Sequence, residues 1–246
     1  MSALTGFGVV LLAVFLLLAM TFIRRKSPPV FREIAAFSRL RRAAGLAVED
    51  GTRLHVSLGR GGLQSARGAS ALAGLALLRR LAEQASGSDR PPVVTSGDAV
   101  LAYLSQDTLE SAYKTAGAVE LFRAETGRLS GLTAFSYAAG AIPVVRDENV
   151  SASVLIGHFG PEAALLTESA ERENAFILAA ADEPATQSIL FASVQDPLIG
   201  EELYAAAAYA GAETSHAASL QVQDILRWLV VLALLAGAAM KLAGLL

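Results

Sequence analysis

The sequence contains no cysteine. Disulfides, iron–sulfur clusters, thiolate zinc sites and cysteine nucleophiles are therefore excluded together. Charged residues make up only 17% and aromatic residues 7% of the chain, whereas hydrophobic residues make up 53%. A soluble domain normally carries a smaller apolar fraction, and the excess here lies at the two ends of the chain.

Two stretches carry almost no charge. Residues 5–23 carry none, and as a helix they would span about 28 Å, which matches the core of a bilayer. Residues 228–246 are interrupted only by Lys241, whose amine can reach the far interface.

The first stretch differs from a signal peptide. A signal peptide would carry positive charge before its apolar core, whereas here the charge follows residues 5–23. We therefore expect two retained transmembrane segments, residues 1–26 with their basic flank and residues 228–246.

Basic residues determine the expected orientation. Residues 24–46 carry a net charge of +6, which leaves about −9 for the rest of a chain whose net charge is −3. By the positive-inside rule, the central region lies in the cytoplasm and both termini lie outside. The bilayer is the expected partner of this basic segment, and nucleic acid is not, because basic residues interleaved with aromatics are missing elsewhere. The residues expected at the membrane interface are Arg24, Arg25, Lys26, Arg41, Arg42, Arg227 and Trp228.

Residues 27–47 form the predicted juxtamembrane segment. Val30, Ile34 and Phe37 recur at three- to four-residue spacing between arginines. This spacing predicts an amphipathic helix, which either lies in the membrane interface or packs on the folded domain or on a neighbouring subunit.

Residues 48–199 alternate between short apolar strands and longer amphipathic helices. Strands are predicted at 53–59, 91–97, 128–132, 149–157 and 175–182, and a helix is predicted through TAFSYAAGAI, residues 133–142. Near-continuous apolar strands separated by helices of ten or more residues favour a parallel sheet covered on both faces. We therefore expect an α/β fold: a Rossmann-like, doubly wound and mostly parallel sheet, flanked by an N-terminal and a C-terminal transmembrane helix.

Residues 200–227 are rich in alanine. Such a helical segment permits very close packing, either within the chain or between copies of it. One helix is predicted from about His216 into the second span, where Ala233 and Gly237 have the small-xxx-small spacing that favours helix association in lipid.

Polar residues and glycines follow four of the predicted strands, in LGRGG, TSGD, GHFGPE and AADEP. Parallel strands would bring these ends to one edge, where doubly wound folds bind ligands. The candidate ligand-binding residues are Gly59, Gly61, Ser96, Asp98, His158, Glu162 and Asp182, with Glu183 beside them. Each also has a structural interpretation, because glycine suits a tight turn and the acidic residues suit helix starts.

The loop GRGGLQ resembles a dinucleotide fingerprint but does not match it. Gln64 occupies the position of the third glycine, and Asp98 follows nearly forty residues later, where an acidic residue is expected after about twenty. No Gly-Lys-Ser/Thr follows either, so the loop is not a P-loop. It predicts a tight turn between strand and helix, with a phosphate bound by the helix amides as the alternative.

None of the three histidines has a metal-ligand partner three or four residues away, so neither a metal nor another cofactor is expected. His158 is the candidate general acid because of its place at the strand ends, whereas His55 is expected to be a hydrogen-bonded histidine within the sheet. The motifs G-x-S-x-G and H-E-x-x-H do not occur, which disfavours the common hydrolases.

Five segments, HVSLGRGGL, PPVVTSGD, GHFGPE, IGEELYAAAAYAG and SLQVQDILRW, resemble a bacterial family of uncharacterised two-span membrane proteins, a domain of unknown function. The resemblance covers roughly residues 48–228. It implies a bacterial inner-membrane protein and assigns no catalytic residues.

The leading functional hypothesis is assembly: a membrane-anchored subunit that forms a homo-oligomer through small-residue helix faces. The alternative is a sensory module that binds a small molecule or nucleotide at the strand ends, and a second alternative is an enzyme at the same place. No catalytic constellation is complete in the sequence, which favours a protein without enzymatic activity.

Overall fold

The computed structural model describes residues 3–24, 31–63, 65, 67–211 and 214–243. Arg25, Lys26, Val30 and Gln64, which are named above, lie outside these ranges. The chain forms two compact units, one of Met1–Arg32 with Ala212–Leu246 and the other of Glu33–Gly211.

The secondary structure consists of helices and short strands in alternation. The strands are β1 (Arg53–Gly59), β2 (Val93–Ser96), β3 (Gly127–Leu129), β4 (Val150–His158), β5 (Phe176–Ala181) and β6 (Pro197–Leu198). The helices are α1 (Ala3–Arg24), α2 (Ala35–Glu49), α3 (Gly68–Ala85), α4 (Ala99–Ala116), α5 (Ala134–Asp147), α6 (Glu162–Arg172), α7 (Pro184–Ser193), α8 (Glu202–Tyr209) and α9 (Thr214–Leu242). Short 3₁₀ turns lie at Val119–Leu121 and Ala124–Thr126.

The first unit contains α1 and α9, which pack against each other. Most of their large apolar side chains are exposed. Gly6–Ile23 and Ser215–Leu242 are long and apolar enough to cross a membrane. The continuous helix predicted from about His216 is present, since α9 starts at Thr214 and runs to Leu242 without interruption.

The second unit is built on one six-stranded sheet with the order β3-β2-β1-β4-β5-β6. Every neighbouring pair is parallel, which confirms the α/β prediction. Helices cover both faces. Leu54, Val56 and Leu58 of β1 belong to the core beneath α2, α3, α4 and α8, whereas Leu155 of β4 belongs to the core beneath α5, α6 and α7.

Helix α2 packs on this domain through its apolar face. Phe37 is buried and stacks on Tyr209 of α8, with ring centroids 4.8 Å apart. On the same helix, Arg39 holds both carboxylate oxygens of Asp196, at 2.6 and 2.7 Å. The sequence left three places open for this helix: the membrane interface, the folded domain and a neighbouring subunit. In the structure, the apolar face of α2 packs on the domain.

The alanine-rich segment is also used inside the domain. Ala205, Ala206 and Ala207 of α8 are buried, and α8 packs on α3. Small side chains permit this close approach, so these alanines serve intramolecular packing. With α2 and α8 included, the compact unit extends from Glu33 to Gly211 and exceeds the predicted 48–199.

Two features of the domain differ from the prediction. Strand β6 contains only two residues, too few for an alternating pattern to reveal it. Helix α5 continues through Pro143 to Asp147, although its predicted stretch ended before the proline. Pro143 and Ala139, whose carbonyl loses its helical partner, are both exposed, so water can satisfy that carbonyl.

His55 is the buried histidine at the centre of the sheet. Its Nδ1 lies 3.0 Å from Ser153 Oγ and its Nε2 lies 2.9 Å from Thr95 Oγ1, so both ring nitrogens have partners, as expected. Burial, together with the nearby Arg128 charge, lowers the pKa of His55 from 6.5 to about 4. The imidazole is therefore neutral in the folded protein at pH 7.

We predict that this histidine makes the domain sensitive to mild acid. Because the pKa is lower in the folded than in the unfolded state, the stabilisation is complete above pH 6.5 and is lost as the pH falls towards 4. The free energy of unfolding should fall by up to about 3 kcal/mol across this window. Denaturant titration of the full chain in detergent, at several pH values, measures it. His55→Gln should flatten the dependence and the control His216→Gln should not; an unchanged slope in His55→Gln would contradict the assignment.

Candidate functional site

The candidate site lies where β1 and β4 are neighbours in the sheet. Helix α3 leaves β1 on one face of the sheet, and helix α6 leaves β4 on the opposite face. The two connections diverge and open a switch point at the carboxyl ends of the strands, where open α/β folds bind their ligands.

Glycines bring the loop after β1 onto the neighbouring strands. Gly59 has φ +68°, and a Cβ there would lie 2.2 Å from the carbonyl oxygen of His158. The Gly59 carbonyl accepts a 2.8 Å hydrogen bond from the Gly97 amide after β2, and the Arg60 amide donates to the His158 carbonyl at 2.8 Å. A Cβ on Gly61 would lie 2.9 Å from the His158 Cβ. The loop therefore crosses the switch point in direct contact with β4.

Arg60 forms an ion pair with Glu162 at this point. Its Nε donates to Oε1 of Glu162 at 2.7 Å, and the Glu162 side chain is completely buried. Glycines make room for the pair, since a Cβ on Gly97 would lie 2.3 Å from Arg60 Cγ and one on Gly160 would lie 2.8 Å from Glu162 Oε2. No described residue accepts a hydrogen bond from the terminal Nη1 and Nη2 of Arg60.

The Glu162 carboxylate is held in its ionised form. Burial alone would raise its pKa, but the Gly160 amide and the Arg60 guanidinium outweigh burial, and the pKa lies below the ordinary 4.5. Its Oε2 is buried and accepts no hydrogen bond from any described residue. The pair therefore fixes a guanidinium whose outer nitrogens remain available to an acceptor.

A second polar group connects β4, β5 and α3. His158 Nδ1 lies 2.7 Å from Asp182 Oδ1, and Ser70 Oγ donates to the other oxygen, Oδ2, at 2.7 Å. Because a carboxylate oxygen accepts, Nδ1 donates in this contact, and Nε2 is the ring nitrogen that the pair does not use. No described residue lies within hydrogen-bond distance of Nε2. His158 thus has the geometry of an oriented general base as well as a general acid.

A third group follows β2. Asp98 caps α4, with Oδ1 accepting the Leu101 amide at 2.9 Å. Ser96 Oγ accepts the Asp98 amide at 3.1 Å. A Cβ on Gly62 would lie 3.3 Å from Asp98 Oδ2, so the carboxylate borders the glycine loop.

Beneath these groups, Tyr137 joins α5 to the ends of β1 and β2. Its hydroxyl lies 2.5 Å from Ser57 Oγ and 3.2 Å from Thr95 Oγ1. Burial raises the pKa of Tyr137, so the phenol remains protonated. These buried hydrogen bonds hold the strand ends beneath the site and do not form part of its surface.

The parallel sheet places all the predicted ligand-binding residues at one edge, in three groups. The first consists of His158, Asp182, Gly59 and Gly61, the second of Ser96 and Asp98, and the third of Glu162 with Arg60. Glu183 is the N-cap of α7 and makes no side-chain cap there.

Sequence reasoning missed four residues of the site: Arg60, Ser70, Gly97 and Gly160. Arg60 lies inside the quoted glycine loop, and its proximity to Glu162 across 102 positions carries no local pattern. Gly97 and Gly160, which follow β2 and β4, were the available signal, because glycine often marks a place where another group approaches the backbone closely.

The described residues contain no group of three or more histidines, aspartates or glutamates that could hold a metal ion. A surface groove of about 370 Å³ lies against α7 and is lined by Pro184, Gln187, Ser188, Phe191 and Ile199. None of these five carries a titratable side chain, so the switch point remains the place with the chemistry of a site.

The residues expected at a membrane interface fall on several helices. Arg24 ends α1, Arg41 and Arg42 are exposed on α2, and Trp228 is exposed on α9. On the same helix, Arg227 Nη1 lies 3.7 Å from Oδ1 of Asp224, three residues earlier.

Comparison with known proteins places the chain in a family. A domain described as a domain of unknown function, DUF6754, matches residues 2–245. No curated protein and no solved structure matches the chain. Since the match covers nearly the whole sequence, this protein belongs to the DUF6754 family.

Proposed function

We propose that this protein is a membrane-anchored binding module that takes a small anionic ligand at the switch point. The observation that carries the proposal is the Arg60 guanidinium, held through Nε by a buried carboxylate in a slot between two glycines. A guanidinium fixed in this way matches a carboxylate or phosphate with two parallel hydrogen bonds and loses little entropy on binding.

The start of α3 adds to this chemistry. Its N-cap, Arg67, makes no side-chain cap, so no side chain occupies the first-turn amides from that position. The amides at a helix N-terminus are a common binding place for anions. The proposal replaces the leading hypothesis of pure assembly with the sensory alternative, because the alanines of α8 that supported assembly are buried inside the domain.

We predict that ligand stabilisation depends on Arg60. Thermal unfolding of the full chain in detergent should be followed with phosphate, pyrophosphate, dicarboxylates and nucleotides. At a ligand concentration of 100 times Kd, binding raises the free energy of unfolding by about 2.7 kcal/mol, which corresponds to a rise in Tm of about 5 to 10 °C. Arg60→Gln should lose most of this shift. The matched control is Arg172→Gln, which removes an exposed arginine at the far end of α6 and should keep the shift. Absence of a shift across the panel would refute the proposal.

Self-association is the second candidate, and one observation on α9 favours it. A Cβ on Gly237 would meet no heavy atom within 4 Å, so this small-residue face is open within the chain. In lipid, such a face permits the close approach of a second helix. We propose that two or more copies associate through it.

The mass of the detergent-solubilised particle tests this association. Gly237→Leu should reduce an oligomer to monomers, because the larger side chain separates the helix backbones. Ala238→Leu, on another face of α9, should leave the mass unchanged. A monomeric wild-type particle at working concentration would exclude the hypothesis.

We further propose that the protein resides in a bacterial inner membrane, with the Glu33–Gly211 domain in the cytoplasm and both termini outside. Support comes from two helices of membrane-spanning length and from the basic residues that follow the first one.

Single cysteines can test this topology, because the chain has none of its own. In a bacterial host, a membrane-impermeant maleimide should label Ser2→Cys in spheroplasts and should label Ser111→Cys, at an exposed position of α4, only after lysis. The reverse labelling would show the opposite orientation.

A further inference from the structure

Asp98 offers a carboxylate oxygen that the fold itself does not use. Oδ1 caps α4 through the Leu101 amide, and this contact fixes the orientation of the carboxylate. Oδ2 accepts no hydrogen bond from any described residue, and Asp98 is half-buried beside Gly62. An oriented acceptor next to a glycine loop suits a ligand that donates hydroxyl groups.

Asp98 and Arg60 border the same part of the site. Arg60 Cγ occupies the space beside Gly97, the residue before Asp98. Arg60 and Asp98 are close because they follow β1 and β2, which lie directly beside each other in the sheet. One ligand with an anionic group and nearby hydroxyls could therefore engage the guanidinium and the carboxylate together.

Exposed apolar side chains lie on the segments next to Asp98. The loop after β3 reaches the end of β2, where the Gly131 carbonyl oxygen would lie 3.1 Å from a Cβ on Gly97. The next residue, Leu132, is 68% exposed, and Val100 in the first turn of α4 is 56% exposed. Leu129 pairs with Ser96 in the sheet and is also exposed. The segments beside Asp98 therefore carry uncovered apolar side chains.

We infer that the ligand of the proposed site is a nucleotide, with the ribose hydroxyls donating to Asp98 Oδ2, a phosphate on the Arg60 guanidinium and the base against Leu132 and Val100. The inference rests on the proposed anion site and names its ligand class. A free phosphate would use only the guanidinium, and a simple dicarboxylate would be repelled by Asp98. A nucleotide combines an anion, vicinal hydroxyls and a flat apolar ring, which match the guanidinium, the Asp98 carboxylate and the exposed apolar side chains.

The long sequence separation between the glycine loop and Asp98 does not oppose this inference. Between them lie α3, with 18 residues, and the turn that returns the chain to β2. The acidic residue still follows the strand beside the glycine loop, which is where ribose-binding carboxylates lie in dinucleotide folds. Distance along the sequence differs, whereas the position in the sheet is the same.

Calorimetric titration of the full chain in detergent tests the assignment with a graded series of probes. These are inorganic phosphate, ribose 5-phosphate and the four common nucleoside 5′-monophosphates. We expect affinity to rise from phosphate to ribose 5-phosphate and again to at least one nucleotide.

In Asp98→Asn, the amide oxygen can still cap α4, but a donor replaces the free acceptor. Ribose 5-phosphate should then bind about tenfold weaker or worse, with phosphate unchanged.

Two further variants complete the test. Asp107→Asn removes an exposed carboxylate from the same helix and should bind every probe as the wild type does. Leu132→Ser should weaken the nucleotides and leave ribose 5-phosphate unchanged.

The outcomes separate the two proposals. If phosphate binds in an Arg60-dependent manner but ribose adds no affinity, or Asp98→Asn loses none, the nucleotide assignment is wrong and the anion site stands. If no probe binds with dependence on Arg60, the proposed function itself is wrong.

Discussion

The buried ion pair between Arg60 and Glu162 is the interaction on which the arrangement of the strand ends depends. Glu162 is fully buried, and a buried carboxylate without its partner would destabilise a fold by about 3 to 5 kcal/mol. The pair holds the loop after β1 to the start of α6 across the switch point. It also accounts for Gly97 and Gly160, because a Cβ at Gly97 would lie 2.3 Å from Arg60 Cγ and one at Gly160 would lie 2.8 Å from Glu162 Oε2.

Two segments of the chain show why small residues support opposite interpretations. The alanines of α8 lie against α3, so their close packing is satisfied within one chain. A Cβ added at Gly237 on α9 would meet nothing within 4 Å, so that position is open to another helix. Composition is alike in the two segments. Small residues serve internal packing where another element of the chain covers them, and they are available to a partner where none does.

Much of the fold was predictable from local patterns. Five of the six strands and the helices between them follow from apolar runs and their spacing, because burial on both faces of a parallel sheet demands such runs. His55 was recognisable as a sheet histidine from its apolar neighbours. The site was only partly predictable: the glycines and acidic residues after the strands were identified, whereas Arg60 was not, since its partner lies 102 residues away.

The sequence by itself determined the class of the fold, the two long apolar helices and the edge of the sheet at which polar residues gather. These properties follow from periodicity and composition, which act over short stretches of chain. Only the tertiary structure decided that α2 packs on the domain, that Arg60 is fixed by Glu162 and that Asp98 borders the glycine loop. Such contacts depend on strand order, and strand order results from the packing of the whole chain, which no local pattern encodes.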